Sequence, residues 1–92
     1  MGNDKLLQKI KLSLRIRNSK AFDDDIMDHI ESAKADMLLA GINVEKDDAL
    51  IHQAIKHYCR ANFALDNADS VKFSMAYDSL KDKLSLCEEY KL

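Results

Sequence analysis

AFDDDIMDHIESAKADMLLAGIN, residues 21–43, is the stretch that decides the fold. Apolar side chains recur at Phe22, Ile26, Ile30, Ala33, Met37 and Ala40, in steps of four, four, three, four and three. That spacing draws one apolar stripe along a helix. Asp23, Asp24 and Asp25 crowd its first turn, where negative charge suits the positive end of the helix dipole. Gly41 stands where a helix stop needs a left-handed residue. The pattern predicts a helix from about Lys20 to Ala40, with Ser19 as its cap.

The neighbouring segments read the same way and give an all-α chain, a compact bundle of four helices with a C-terminal tail. The first helix covers about Asp4 to Ile16 and turns Leu6, Leu7, Ile10 and Leu14 inward. Asn18 and Ser19 break it. Ile42 and Val44 pin the polar connection after Gly41 to the core. Asp48 caps a third helix that runs to about Phe63, with Leu50, Ile51, Ala54, Ile55, Tyr58 and Ala61 inward. Asp66-Asn67-Ala68-Asp69 is a turn rich in side-chain acceptors. The fourth helix starts near Ser70 and stripes Phe73, Ala76, Tyr77, Leu80 and Leu84. Leu86 to Leu92 is the tail. The expected core is Leu14, Phe22, Ile26, Ile30, Leu50, Ile55, Tyr58, Phe73, Tyr77 and Leu80, and truncation of Ile30 or Leu80 to alanine is expected to cost about 2–5 kcal/mol.

Ninety-two residues make a single domain, 1–92, with 47% hydrophobic and 33% charged residues, a globular rather than a disordered composition. A chain this short buries only about 60–65% of the surface its unfolded form exposes, so a partner surface helps it. There is no proline, and Gly2 and Gly41 are its two glycines. No apolar run approaches the roughly 20 residues of a membrane span. The N-terminus has no uninterrupted apolar core and no cleavage site, which excludes a signal peptide and points to the cytosol. Cys59 and Cys87 are then free thiols.

The net charge of −2 hides a segregation. Residues 1–20 carry +5, residues 21–50 carry −7, and residues 51–92 are neutral. A basic leading helix thus stands beside an acidic second one. Either the two attract each other within the chain, or the basic face of one copy meets the acidic face of the next.

Catalytic chemistry is not visible. His52 and His57 are five residues apart, so they point about 140° away from each other, whereas a metal pair needs i, i+4. His29 lies on another helix. The aspartate triplet lacks the spacing and glycine of a calcium loop. No glycine-rich phosphate loop exists, and no serine has an evident base. No metal and no cofactor are expected. Leucines and isoleucines interrupt the basic residues of the first helix, the aromatic content is 7%, and the pI is near 5.8; together these oppose nucleic-acid binding.

Several segments resemble a known family in order and spacing. Leu12-Ser13-Leu14-Arg15-Ile16 is similar to a leading "LKxxLRI", and Ala21-Phe22-Asp23-Asp24-Asp25-Ile26 to "FDDEI". Ala33-Lys34-Ala35-Asp36-Met37 with Ala40-Gly41-Ile42 matches "AAKADL…AGI". Asp48-Ala49-Leu50-Ile51, Ala54-Ile55-Lys56-His57-Tyr58 and Ala61-Asn62-Phe63 follow "DPLI…AI..YV.A.F". Asp66-Asn67, Phe73 and Ala76-Tyr77-Asp78-Ser79-Leu80-Lys81 follow "DN…F…YDSLK". The chain departs at Ala49, where the family often has proline, and at Ala64, where glycine is frequent. It resembles the head–tail connector (adaptor) proteins of long-tailed bacteriophages and prophages, often labelled DNA-packaging proteins.

The resemblance implies a non-enzymatic all-α protein that forms a homo-oligomeric ring under the portal of the DNA-filled head. The ring extends the DNA channel, and DNA passes without specific binding. Neck or tail completion proteins dock on it, no membrane is involved, and assembly takes place in the host cytoplasm before the protein rests at the head–tail junction. Arg15, Arg17 and Lys20, facing Asp23, Asp24 and Asp25 of the next copy, are the expected subunit interface. The tail residues Leu86, Glu88, Glu89, Tyr90 and Leu92 are the expected portal contact. A small DNA-binding or antitoxin-like regulator is the alternative, but a helix-turn-helix needs a tighter turn than the one between the second and third helices.

Overall fold

The computed structural model describes residues 2–14, 20–62 and 67–92. Four helices form, α1 (Gly2–Ser13), α2 (Asp23–Leu39), α3 (Ala49–Asn62) and α4 (Asn67–Leu86), with single 3-10 turns at Val44–Lys46 and Glu88–Tyr90. α3 packs most extensively on α4 and next on α2, while α1 lies against α2 and α3. The molecule measures 38 × 32 × 18 Å. Its short axis is two helix layers, at about 8–10 Å between packed helix axes. Among the described residues no strand forms, and the one β-like pairing is a bridge between Ile42 and Lys91.

The middle of the α2 stripe packs as its spacing predicts, with Ile26, Ile30, Ala33 and Met37 fully buried, whereas Ala40 at its far end is the exposed C-cap. They meet Leu6, Leu7 and Ile10 of α1, Ile51, Ala54, Ile55 and Cys59 of α3, and Tyr77 and Leu84 of α4 in one core. Leu14, Tyr58 and Leu80 pack on it half-buried. Phe22 and Leu50, expected inside, are 41% and 45% exposed. Phe22 occupies the N-cap, ahead of the helical stripe. At 100° per residue, Leu50 lies more than 90° from the centre of the stripe formed by Ile51, Ala54, Ile55 and Cys59. Phe73 is half-buried and carries the Arg60 guanidinium 4.0 Å from its ring centre. Leu80 is likewise only half-buried, so its truncation is expected to cost less than that of Ile30.

The boundaries shift for local reasons. α2 starts at Asp23 rather than Lys20, because Ala21 and Phe22 form a turn closed by the Asp23 amide donating to the Lys20 carbonyl at 3.2 Å. Phe22 offers no capping side chain, so the three aspartates answer the exposed amides electrostatically. The expected cap Ser19, the break at Asn18 and the end of the first helix at Ile16 lie outside the described residues, as do Phe63 and Asp66. α4 starts at Asn67, three residues before Ser70, and its first turn takes in Asp69, which the dipole favours.

Gly41 ends α2 as expected, at φ +83°. The Gly41 amide donates to the Leu38 carbonyl at 2.9 Å and the Ile42 amide to Met37 at 3.1 Å. This pair of bonds is a Schellman motif, and its usual apolar contact is available between Met37 and Ile42, both fully buried. A Cβ at position 41 would meet nothing within 4 Å, so glycine is required by backbone conformation and not by space.

Candidate functional site

Beyond the core, the side chains fall into three groups: two long-range polar clasps, a buried ion pair, and outward faces. The first clasp joins α2 to α4. The Tyr77 hydroxyl donates to Asp36 Oδ2 at 2.5 Å, and Lys81 Nζ donates to the same oxygen at 3.0 Å. Lys81 also sits 5.2 Å from the centre of the Tyr77 ring, and Tyr58 meets that ring edge-on at 5.1 Å. The Tyr77 hydrogen bond, opposed by burial and reinforced by Lys81, holds the Asp36 carboxyl below its ordinary range. Burial, with the Asp36 charge, pushes the Tyr77 phenol up.

The second clasp fastens the tail. Asp48 Oδ1 accepts the Ile51 amide at 3.1 Å, the expected N-cap of α3. Its other oxygen accepts the Tyr90 hydroxyl at 2.5 Å. Tyr90 is 7% exposed, with Lys46 Nζ 5.1 Å from its ring centre. The Asn43 amide donates to the Tyr90 carbonyl at 2.6 Å, and the Leu92 amide to the Gly41 carbonyl at 3.1 Å. The tail is thus pinned beside the α2–α3 connection. The hydrogen bond to Asp48 raises the Tyr90 phenol to about 12. At Asp48 burial opposes the charge, but the bonds from Tyr90, Ile51 and Leu50 outweigh it and hold the carboxyl low.

Both aspartates have lowered folded-state values, so their stabilisation is present above the ordinary aspartate pKa of about 3.9 and is lost as pH falls through the lowered values. The melting temperature is expected to drop between about pH 4 and about pH 2, and the drop should be shallower in Tyr90→Phe, which lacks the bond that favours ionised Asp48. A melting temperature flat across that range contradicts the assignment.

The ion pair joins α1 to α2. Lys11 is 6% exposed and places Nζ 2.8 Å from Asp23 Oδ1. The contact is ionic without hydrogen-bond geometry, and Oδ1 has no hydrogen bond among the described residues. A buried ammonium without such a neighbour would be costly. Asp23, expected at the subunit interface, is therefore engaged inside its own subunit. Asp24, Asp25 and Lys20 are exposed. Arg15 and Arg17 lie outside the described residues.

Of the expected portal contacts, Tyr90 is turned inward as the anchor of the tail. Glu88 and Glu89 are exposed, and Leu86 and Leu92 are 80% and 73% exposed. Leu86 ends α4 rather than beginning the tail. Sequence reasoning missed the anchoring of Tyr90 and the pairing of Lys11; the position of Lys11, one turn beyond the inward Leu7 on α1, was the available signal for the latter.

Among the described residues no group of three histidine, cysteine or acidic side chains could hold a metal. His52 Nε2 lies 2.6 Å from Asp47, and His57 stacks near Phe73 with ring centres 6.1 Å apart. Cys59 is fully buried, and desolvation raises its thiol to about 12, far from a reactive thiolate. No helix is long and apolar enough to cross a membrane.

The sequence profile of the phage connector protein family matches residues 6–91. The chain belongs to that family. The match takes in all four helices except the first turn of α1, and most of the tail. Connectors are structural proteins of the phage particle that interact with other head and tail proteins. No curated protein and no solved structure matches the chain.

Proposed function

We propose that this connector assembles as a homo-oligomeric ring beneath the portal of the DNA-filled head, extends the channel through which DNA passes, and presents a docking surface to neck or tail completion proteins at the head–tail junction. The observation that carries this reading is the connector-family match across residues 6–91. The surface chemistry supports it. Leu12, Leu39, Val71, Met75, Leu86 and Leu92 are each more than 60% exposed, an apolar load suited to partner proteins. Net charge of −2 suits a channel that DNA crosses without sticking.

The portal contact is assigned to the tail. Its backbone is held by Tyr90, while Leu86, Glu88, Glu89 and Leu92 point outward. A fastened tail loses less conformational freedom on binding than a loose one.

The test is a native-mass measurement of the protein alone and with the portal of the same phage. The expected result is a portal complex carrying several copies, whatever the state of the protein alone. A portal that takes up no copy, or a single one, rules out the ring.

A further inference from the structure

The charge segregation becomes specific once the helices are seen side-on. At 100° per residue, the buried side chains Leu6, Leu7, Ile10 and Lys11 define the inner face of α1. Lys5, Lys9 and Leu12 lie on the opposite face and are exposed, Leu12 at 77%. On α2 the inner face is Ile26, Ile30, Ala33 and Met37, and Asp24, Asp25 and Asp28 are exposed on the outer side. Among the described residues no ion pair involves Lys5, Lys9, Asp24, Asp25 or Asp28. Within one subunit α1 and α2 meet through their inner faces, bridged by Lys11 and Asp23, so their outer faces cannot meet each other.

We propose that the outer face of α1 docks antiparallel on the outer face of α2 of a second copy of this chain, Lys5 against Asp28 and Lys9 against Asp24. The register follows from spacing. Lys5 and Lys9 are one helical turn apart, as are Asp24 and Asp28, so both pairs form together only when the helices lie side by side in register. Antiparallel alignment then carries Leu12, which is 77% exposed, just past the first turn of α2. It also opposes the two helix dipoles favourably. The contact joins two different patches, so it is heterologous and propagates head to tail, as a ring requires. The charges orient the approach, and Leu12 supplies apolar burial.

This inference rests on the ring reading above, and the test separates the two. Three proteins are compared with wild type for the number of copies loaded on the portal at low salt, each first checked for native helicity and melting temperature. They are Lys5→Glu with Lys9→Glu, Asp24→Lys with Asp28→Lys, and all four changes in one chain. Each half-reversed protein turns two attractions into repulsions and is expected to load only at about tenfold or more higher concentration. The four-fold variant restores opposite charges across the contact and is expected to load as wild type does, as is an equimolar mixture of the two half-reversed proteins where the ring has an even number of subunits. Half-reversed proteins that load normally overturn the proposal. Loss of loading that the four-fold variant does not recover also overturns it and assigns these faces to the portal or another partner. Wild type that never loads more than one copy overturns the ring reading itself, and this contact with it.

Discussion

Replacing Ile30 with alanine is expected to cost about 2–5 kcal/mol. Ile30 is fully buried midway along α2, in the layer where α1, α2 and α3 meet. Alanine removes three carbons and leaves a cavity, and the interior relaxes only partly around it. Domains of this size are held by about 5–15 kcal/mol, so the loss is a large share of the total. Chemical denaturation should show a lower midpoint with an unchanged slope. A change below about 1 kcal/mol would mean that α2 does not pack as described.

Replacing Asp48 with alanine is expected to cost more than the about 1 kcal/mol of a lost helix cap, from two separable sources. Loss of the cap bond to the Ile51 amide removes about 1 kcal/mol from α3. Loss of the acceptor also leaves the part-buried Tyr90 hydroxyl without its partner, a further loss. A double-mutant cycle tells them apart. In the Asp48→Ala background, Tyr90→Phe should be nearly neutral, whereas in wild type it should destabilise. Additive losses would show that the two side chains are not coupled and that the tail is held by its backbone bonds alone.

The fold was legible wherever its causes are local. The middle turns of the α2 stripe, from Ile26 to Met37, the acidic first turn, the left-handed Gly41 and the cap Asp48 each act within about one turn of sequence, and each stands in the structure as its spacing predicts. What escaped involves distant partners. Tyr90 and Asp48 are 42 residues apart, and Tyr77 and Asp36 are 41 apart. No periodicity links such residues, so Tyr90 read as a tail residue at the portal contact. Lys11 counted only toward the charge of the basic leading helix; one turn beyond Leu7, it belongs to the inner face and is held there by Asp23. Phe22 and Leu50 show the opposite error, since an apolar side chain at a helix start need not share the stripe of the turns that follow.

The candidate surfaces divide along the same line. Charge segregation between the first two helices is plain in composition, but composition could not say which charges are spent inside the subunit. The structure separates Lys11 and Asp23, paired with each other, from Lys5, Lys9, Asp24 and Asp28 on outer faces. The family itself was readable from the order of short segments, each of which alone is an ordinary core or cap.

The most direct test of the connector's role is its removal from the phage that encodes it, followed by electron microscopy of the particles formed and by adding back purified protein. The account predicts heads that reach the packaging stage without joined tails, and tail attachment restored by wild-type protein. Tailed, infectious particles formed in its absence would contradict the account.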